Sequence, residues 1–257
     1  MRIVHALKKK ATRRRRPDRE TPPTLPDIIE AIRTRAAQGH VAEQVRWGDI
    51  LLDSIYVPRD PAQARQWYEI AASADYAPAH NMLGRCHHFG WGGPPDLPAA
   101  AASYKKAADL GDLWGCYNLG IMTMRGIGMP ADLRRALDLF RSAAERGHAK
   151  SMNLVARFTE EGWHTERDPA MALQWYRRSA EGGDYRGQHN YATALLAMGD
   201  RAQALEWWWR AVGDATSDVL LAMARTLHTL GPDGDAALLQ QVHDRLDTLG
   251  IPHPVPA

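Results

Sequence analysis

Residues 115–147 read GCYNLGIMTMRGIGMPADLRRALDLFRSAAERG, two amphipathic segments divided by a break rich in glycine. In the first segment, small and apolar residues recur at the spacing of one helix face: Gly115, Leu119, Gly120 and Thr123. The break at residues 125–130 ends that helix, because glycine favours a left-handed helix end and proline cannot continue a helix. Asp132 can cap a second helix, and its apolar stripe is Ala136, Leu139, Phe140, Ala143 and Ala144. The stretch predicts two antiparallel helices.

The same pattern returns every 36 residues along the chain. The first helix carries an anchor pair at Leu83-Gly84, Leu119-Gly120, Val155-Ala156 and Tyr191-Ala192. The second helix begins at Asp60, Asp96, Asp132 and Asp168, and its core pair is Trp67-Tyr68, Ser103-Tyr104, Leu139-Phe140 and Trp175-Tyr176. A repeat of this length predicts stacked two-helix units that share a continuous core.

This pattern resembles the Sel-like repeat family, a branch of the tetratricopeptide repeat superfamily. The family unit runs A-x-x-x-L-G-x-x-Y-x-x-G-x-G-V-x-x-D-x-x-K-A-x-x-W-Y-x-K-A-A-E-x-G, and residues 115–147 match most of its anchors. The resemblance covers residues 43–214 as five repeats. It implies an all-α fold, a right-handed α-solenoid of two-helix repeats. Some secreted members carry a disulfide in each repeat, whereas Cys86 and Cys116 occupy different repeat positions here.

The segments that flank the repeats read as caps and tails. Residues 26–42 predict an N-terminal capping helix, and residues 215–250 predict two C-terminal capping helices. In residues 251–257 every second residue is proline, which predicts a loose tail. Residues 1–25 are basic and contain proline, which predicts a disordered tail. We therefore expect one domain without a separate catalytic module.

Composition excludes several classes of protein. The 257 residues are 45% hydrophobic and 24% charged, as in an ordinary soluble protein, and no stretch approaches the roughly 20 apolar residues that span a bilayer. Two cysteines cannot form a disulfide framework, which favours a reducing compartment, and we expect a cytoplasmic protein. The composition, rich in arginine and alanine, together with the resemblance suggests a bacterial source.

Motifs of catalysis are missing from the sequence. It contains no phosphate-binding glycine loop, no nucleophile elbow and no His-Glu-x-x-His zinc motif, so we expect neither an enzyme nor a cofactor. Cys86, His87 and His88 are the best candidates for metal ligands. Consecutive helical residues point about 100° apart, so these three cannot close on one ion and we predict no metal site. Metal binding by Cys86 and His88 with ligands from the next repeat remains the alternative.

The resemblance to tetratricopeptide arrays implies that the first helices line a concave groove. The predicted groove residues are Asn81, Arg85, His88, Phe89, Tyr117, Ile121, Met124, Asn153, Arg157, Glu160 and His189. An amide can bond a peptide backbone and a guanidinium can grip a carboxylate with two bonds, so our hypothesis is a peptide with acidic groups. The alternative is that these residues form only a solvated helix face. We expect a non-catalytic scaffold or adaptor for a protein partner.

Two further features admit more than one interpretation. Trp209 aligns with exposed positions of the other repeats, so either the C-terminal cap covers it or it anchors a partner. Residues 1–20 contain nine basic and two acidic residues, whereas the whole chain has a net charge of only +2. The basic residues are Lys8, Lys9, Lys10, Arg13, Arg14, Arg15 and Arg16. They could bind nucleic acid or anionic lipid, and a regulator attached through this tail is the alternative function.

Overall fold

The computed structural model describes residues 26–231 and 234–253. Over these ranges it contains thirteen α-helices and no strand, which confirms the all-α prediction. No helix among them has the length and apolar character needed to cross a membrane. The predicted basic tail at residues 1–25 and the last four residues of the C-terminal tail lie outside the described residues.

The helices follow one another with short connections. In chain order they are α1 Asp27–Ala37, α2 Val41–Asp53, α3 Pro61–Ala72, α4 Ala77–Phe89, α5 Leu97–Asp109, α6 Leu113–Arg125, α7 Leu133–Glu145, α8 Ala149–Glu161, α9 Pro169–Glu181, α10 Tyr185–Ala197, α11 Arg201–Ala211, α12 Ser217–Leu230 and α13 Ala236–Thr248. The predicted capping helices correspond to α1, α12 and α13. The first helix of the first repeat, α2, begins two residues before the expected start at residue 43.

The chain forms two compact units, Met1–Asp132 and Leu133–Ala257. In the first unit each of α1 to α5 packs against the next helix, and the first helices of successive repeats, α2, α4 and α6, also contact one another. In the second unit the first helices α8 and α10 are neighbours in the same way, and α12 contacts α10. Each unit therefore has a row of first helices and a row of second helices.

Aspartate side chains start the second helices, as the sequence predicts. The carboxylates of Asp60, Asp96 and Asp168 each accept a hydrogen bond of 2.9 Å from the backbone N–H three residues later. These bonds satisfy donors that a helix leaves unpaired in its first turn. Two first helices are capped likewise, because Asp112 accepts from Gly115 N–H at 2.6 Å and Asp184 from Gly187 N–H at 3.0 Å.

Glycine at the anchor position lets the two helices of a repeat approach closely. A Cβ atom on Gly84 would lie 2.4 Å from Cδ1 of Tyr104, and one on Gly48 would lie 2.5 Å from Cε1 of Tyr68. Both tyrosines are almost completely buried. In these two repeats the tyrosine of the core pair thus lies directly over the glycine of the first helix, which fixes the distance between α2 and α3 and between α4 and α5.

Candidate functional site

The first unit carries seven of the predicted groove residues on α4 and α6. Asn81 is buried, Phe89 is exposed, and the others are half-buried: Arg85, His88, Tyr117, Ile121 and Met124. The ring of Tyr117 packs edge-on against Trp114, with ring centroids 5.9 Å apart, and Trp114 is itself 39% exposed. The surface of these first helices is therefore rich in partly exposed aromatic rings.

Three of these side chains form one cluster with Trp91 at the end of α4. The guanidinium carbon of Arg85 lies 4.7 Å from the centroid of the Trp91 ring. Phe89 stacks on Trp91 at 5.3 Å and on His88 at 4.6 Å. We call Arg85, His88, Phe89 and Trp91 the Arg85 cluster. Its contacts are cation–π and aromatic stacking interactions, and it presents one cationic group beside exposed rings.

The connection after α4 folds back so that Trp91 can reach Arg85. Gly90 ends the helix in the left-handed region with φ of 70°, and the N–H of Trp91 donates to the carbonyl of Cys86 at 2.9 Å. Gly92 then passes so close to the start of α3 that a Cβ atom on it would lie 2.6 Å from the Pro61 carbonyl oxygen. Glycine at both positions therefore determines where the indole lies.

Two titratable groups, His88 and Asp49, lie near Arg85, which is the cation of the cluster. Burial lowers the pKa of His88, so this imidazole is neutral at pH 7. Asp49 occupies the position one repeat before Arg85, and burial raises its pKa while the hydroxyl of Tyr68 donates to its carboxylate at 2.8 Å. The carboxylate of Asp49 accepts from Tyr68, and the positive charge of Arg85 also acts on it, lowering the pKa of Asp49 against the effect of burial.

The two asparagines predicted to bind a peptide backbone are bonded to other helices. Asn81 is 8% exposed and its side-chain carbonyl accepts from the amide of Asn118 on α6 at 2.9 Å. Asn153 is 6% exposed and accepts from Asn190 on α10 at 2.8 Å. Both carbonyl groups therefore join neighbouring first helices, and a role for the remaining amide N–H groups in peptide binding stays a prediction.

The second unit repeats the arginine–tryptophan contact. Arg157 is exposed and its guanidinium carbon lies 5.2 Å from the Trp163 ring centroid. Trp163 also packs edge-on against Phe158 at 5.4 Å. Glu160 lies one turn further along α8, and its carboxylate accepts from the hydroxyl of Tyr176 at 2.7 Å. This surface thus presents charges of both signs.

His189 and Trp209 occupy different surroundings in the second unit. His189 stacks on the buried Trp208 with ring centroids 6.1 Å apart, and burial lowers its pKa to about 4. It is therefore a neutral ring at pH 7. The indole N–H of Trp209 donates at 2.7 Å to Asp235, the residue that caps α13, yet Trp209 is still 41% exposed. The C-terminal cap contacts Trp209 and leaves part of its ring open to a partner.

The candidate metal ligands are held by the packing of α4. Cys86 is buried, and burial raises the pKa of its thiol to about 11. Burial also lowers the pKa of His87 and of His88. Across residues 26–231 and 234–253, no group of three or more histidine, cysteine, aspartate or glutamate side chains is placed to hold a metal ion.

Sequence reasoning missed four partners of the predicted residues, two tryptophans and two asparagines. Trp91 and Trp163 each follow their arginine by six residues, and the two arginine–tryptophan pairs are two repeats apart. That shared spacing was a usable signal. Asn118 and Asn190 follow Asn81 and Asn153 by 37 residues, one more than the repeat, so a search at the period itself does not pair them.

Comparison with protein families gives one match. The model described as Sel1 repeat matches residues 44–76, 77–112, 115–148 and 149–184, more than half of the chain. These matches cover four of the five predicted repeats, and the fifth, built from α10 and α11, is not among them. A comparison with curated proteins found no match.

Solved structures support the same fold. A Sel1 repeat protein from Oxalobacter formigenes superposes with a TM-score of 0.71 at 24% identity, over 86% of this chain and 99% of that one. The protective antigen c5321 of uropathogenic Escherichia coli, described as displaying an SLR fold, gives 0.65 at 26% identity over 90% of this chain and 51% of its own length. The immunity protein PA5088 from Pseudomonas aeruginosa gives 0.57 at 18% identity, over 89% of this chain and 84% of that one. The fold is thus an all-α solenoid of two-helix repeats.

Proposed function

Because the chain belongs to the Sel1 repeat family, we propose that it is a non-catalytic scaffold or adaptor that binds a peptide or protein partner on its first helices. Proteins of this family generally act as protein-interaction scaffolds. The observation that carries the proposal for this chain is the Arg85 cluster in the first unit. We place the scaffold in the cytoplasm, since Cys86 and Cys116 are buried as thiols, as expected in a reducing compartment.

Exposed aromatic rings beside an arginine are typical of the energetic centre of an interface. Phe89 is 55% exposed although it stacks on both His88 and Trp91. The stacking holds the ring in place before any partner arrives, so little side-chain entropy is lost on binding. A partner that covers Phe89 therefore gains its apolar area at low cost.

The partner that fits this surface is a peptide that carries carboxylates next to apolar side chains. When a guanidinium packs on an indole, the flat face of the guanidinium makes the contact, and the N–H groups at the edge of the guanidinium can donate to an acceptor. The guanidinium carbon of Arg85 lies 4.7 Å from the Trp91 ring centroid and that of Arg157 lies 5.2 Å from the Trp163 ring centroid, and one N–H of Arg85 also donates to the sulfur of Met82 at 3.6 Å. Each indole thus orients its arginine to bind a carboxylate.

Selection from a random peptide display library on the immobilised full-length chain tests the proposal. We expect acidic peptides with apolar residues to be enriched, and Phe89→Ala to weaken their binding by about tenfold or more. Ile70→Ala is the matched control, because Ile70 is 49% exposed in the same unit but lies on α3, a second helix. Equal binding to wild type and Phe89→Ala would contradict the proposal.

A salt series separates the first helices from the basic tail as the site of binding. Binding at the first helices should survive both the removal of residues 1–20 and a rise in salt, whereas binding through the tail should fall steeply with ionic strength. A partner lost with the tail would favour the alternative function, attachment to nucleic acid or anionic lipid.

A further inference from the structure

The C-terminal end of the second unit holds three histidines in a row. His228 lies on α12, His243 on α13, and His253 in the segment that follows α13. The rings of His243 and His253 are stacked, with centroids 4.1 Å apart and 12° between their planes. The ring of His228 lies 5.6 Å from that of His243, with 36° between their planes.

The segment after α13 is held against the unit by few contacts. Gly250 reverses the chain with φ of 67°, and the N–H of Ile251 donates to the carbonyl of Leu246 at 3.0 Å. Ile251 then packs, partly buried, against the core of the second unit. Nε2 of His253 lies 2.9 Å from a carboxylate oxygen of Asp247. The histidine stack adds a further contact between residues 251–253 and α13.

The surroundings of the row disfavour positive charge. The Nε2 atoms of His228 and His243 are buried without a hydrogen-bond partner among the described residues. Burial lowers the pKa of His243, and the nearby His253 and His228 lower it further, while Asp247 and Asp244 act in the opposite direction. These groups have the largest effects on the pKa of His243. α13 packs against α12, which carries His228, and also contacts α11.

From this arrangement we propose that the histidine row is an acid-sensitive latch on the C-terminal segment. At neutral pH the uncharged ring of His243 stacks on His253, and residues 251–253 stay on α13. In acid His243 is protonated, and a cationic ring is strongly disfavoured in this partly buried stack, where its Nε2 atom has no hydrogen-bond partner among the described residues. The segment then leaves α13, and the contact of Ile251 with the core is lost with it.

Asp247 affects the pH at which residues 251–253 leave α13. While ionised, its carboxylate attracts a protonated His253 and keeps the segment in place. Release therefore requires protonation of His243, and burial moves this protonation to lower pH because it lowers the pKa of His243. The latch would decide whether residues 251–253 are held by the second unit or presented to solvent, a property separate from partner binding in the first unit.

Amide hydrogen exchange followed by NMR on the full-length chain tests the latch. After correction for the intrinsic effect of pH, we expect the protection of the Ile251 amide to fall about tenfold between pH 7.5 and pH 5 relative to that of Leu220, a fully buried core residue. His243→Phe keeps an aromatic ring that cannot be protonated, so its Ile251 amide should stay protected. His40→Phe, which removes an exposed histidine of the first unit, should behave like wild type.

Two results would overturn the proposal. One is an unchanged Ile251 protection in the wild type at pH 5, and the other is an equal loss in His243→Phe. Should His243→Phe alter the fold at pH 7.5, Asp247→Asn provides an independent measurement. It removes the opposing carboxylate and should move the loss of protection to higher pH, so an unchanged midpoint would also contradict the latch.

Discussion

The side-chain amide of Asn118 donates to the side-chain carbonyl of Asn81 across 2.9 Å, and this bond joins the first helices of two successive repeats. Asn190 and Asn153 make the same bond at 2.8 Å in the second unit. The acceptors are almost fully buried, so each pair satisfies polar atoms that water cannot reach. The asparagine pairs thereby fix how neighbouring first helices align, and with it the spacing of the side chains offered to a partner.

Replacing Asn118 with alanine should destabilise the first unit. The carbonyl of Asn81 would lose its partner while it stays buried, and a buried polar group left unpaired costs about 1–3 kcal/mol. Urea unfolding measures the change. Gln66→Ala, at an exposed amide on α3, should change the free energy of unfolding by less than about 0.5 kcal/mol. If Asn118→Ala were as mild as that control, the pair would contribute nothing to stability.

Gly84→Ala should also destabilise the protein, although alanine is the better helix former. The added Cβ would lie 2.4 Å from the ring of Tyr104, so the ring or the helix must shift, at about 1–3 kcal/mol. Gly213→Ala adds the same methyl group where nothing lies within 4 Å, and it should be neutral or slightly stabilising. Thermal unfolding of the two variants decides the point, and equal melting temperatures would show that α4 and α5 are not in close contact.

The helices and their caps could be predicted because they depend on residues close together in sequence. The aspartate at the start of each second helix bonds the N–H three residues later, which the spacing alone indicates. The shared six-residue spacing indicates that Arg85 and Trp91 form a pair, but their contact also depends on the backbone of Gly90 and on the approach of Gly92 to α3, which the spacing does not give. The histidine row depends on a chain reversal at Gly250, outside the repeat.

Acid should weaken the second unit well before its carboxylates are protonated. Burial lowers the pKa of His148 and of His189 to about 4, whereas a histidine in the unfolded chain titrates near 6.5. The unfolded state therefore takes up protons that the folded state does not, and stability falls as the pH drops from about 6.5 to about 4. Each histidine should contribute a loss of about 2 kcal/mol over this window.

Urea unfolding at pH 7, 5.5 and 4.5 measures this loss. His189→Gln should flatten the dependence on pH because the amide does not titrate, while His40→Gln, at an exposed site of the first unit, should leave it unchanged. Parallel curves for His189→Gln and the wild type would mean that His189 is accessible to protons in the folded state.

Arg186 and Asp218 should stabilise the contact of α10 with α12 in a manner that depends on both pH and salt. The guanidinium donates to the carboxylate at 2.8 Å and 3.4 Å, and this bond is the main reason that the pKa of Asp218 falls to about 2. A lowered carboxyl pKa stabilises the fold above about pH 4, and the benefit disappears as the pH falls towards 2.

Asp218→Asn should therefore cost about 0.5–1 kcal/mol at pH 7, since the side chain is 61% exposed. The difference from wild type should shrink at pH 2 and in 1 M salt, whereas Asp214→Asn, at an exposed aspartate in the same connection, should show no such difference. A cost for Asp218→Asn that persisted at pH 2 would assign the effect to packing rather than to charge.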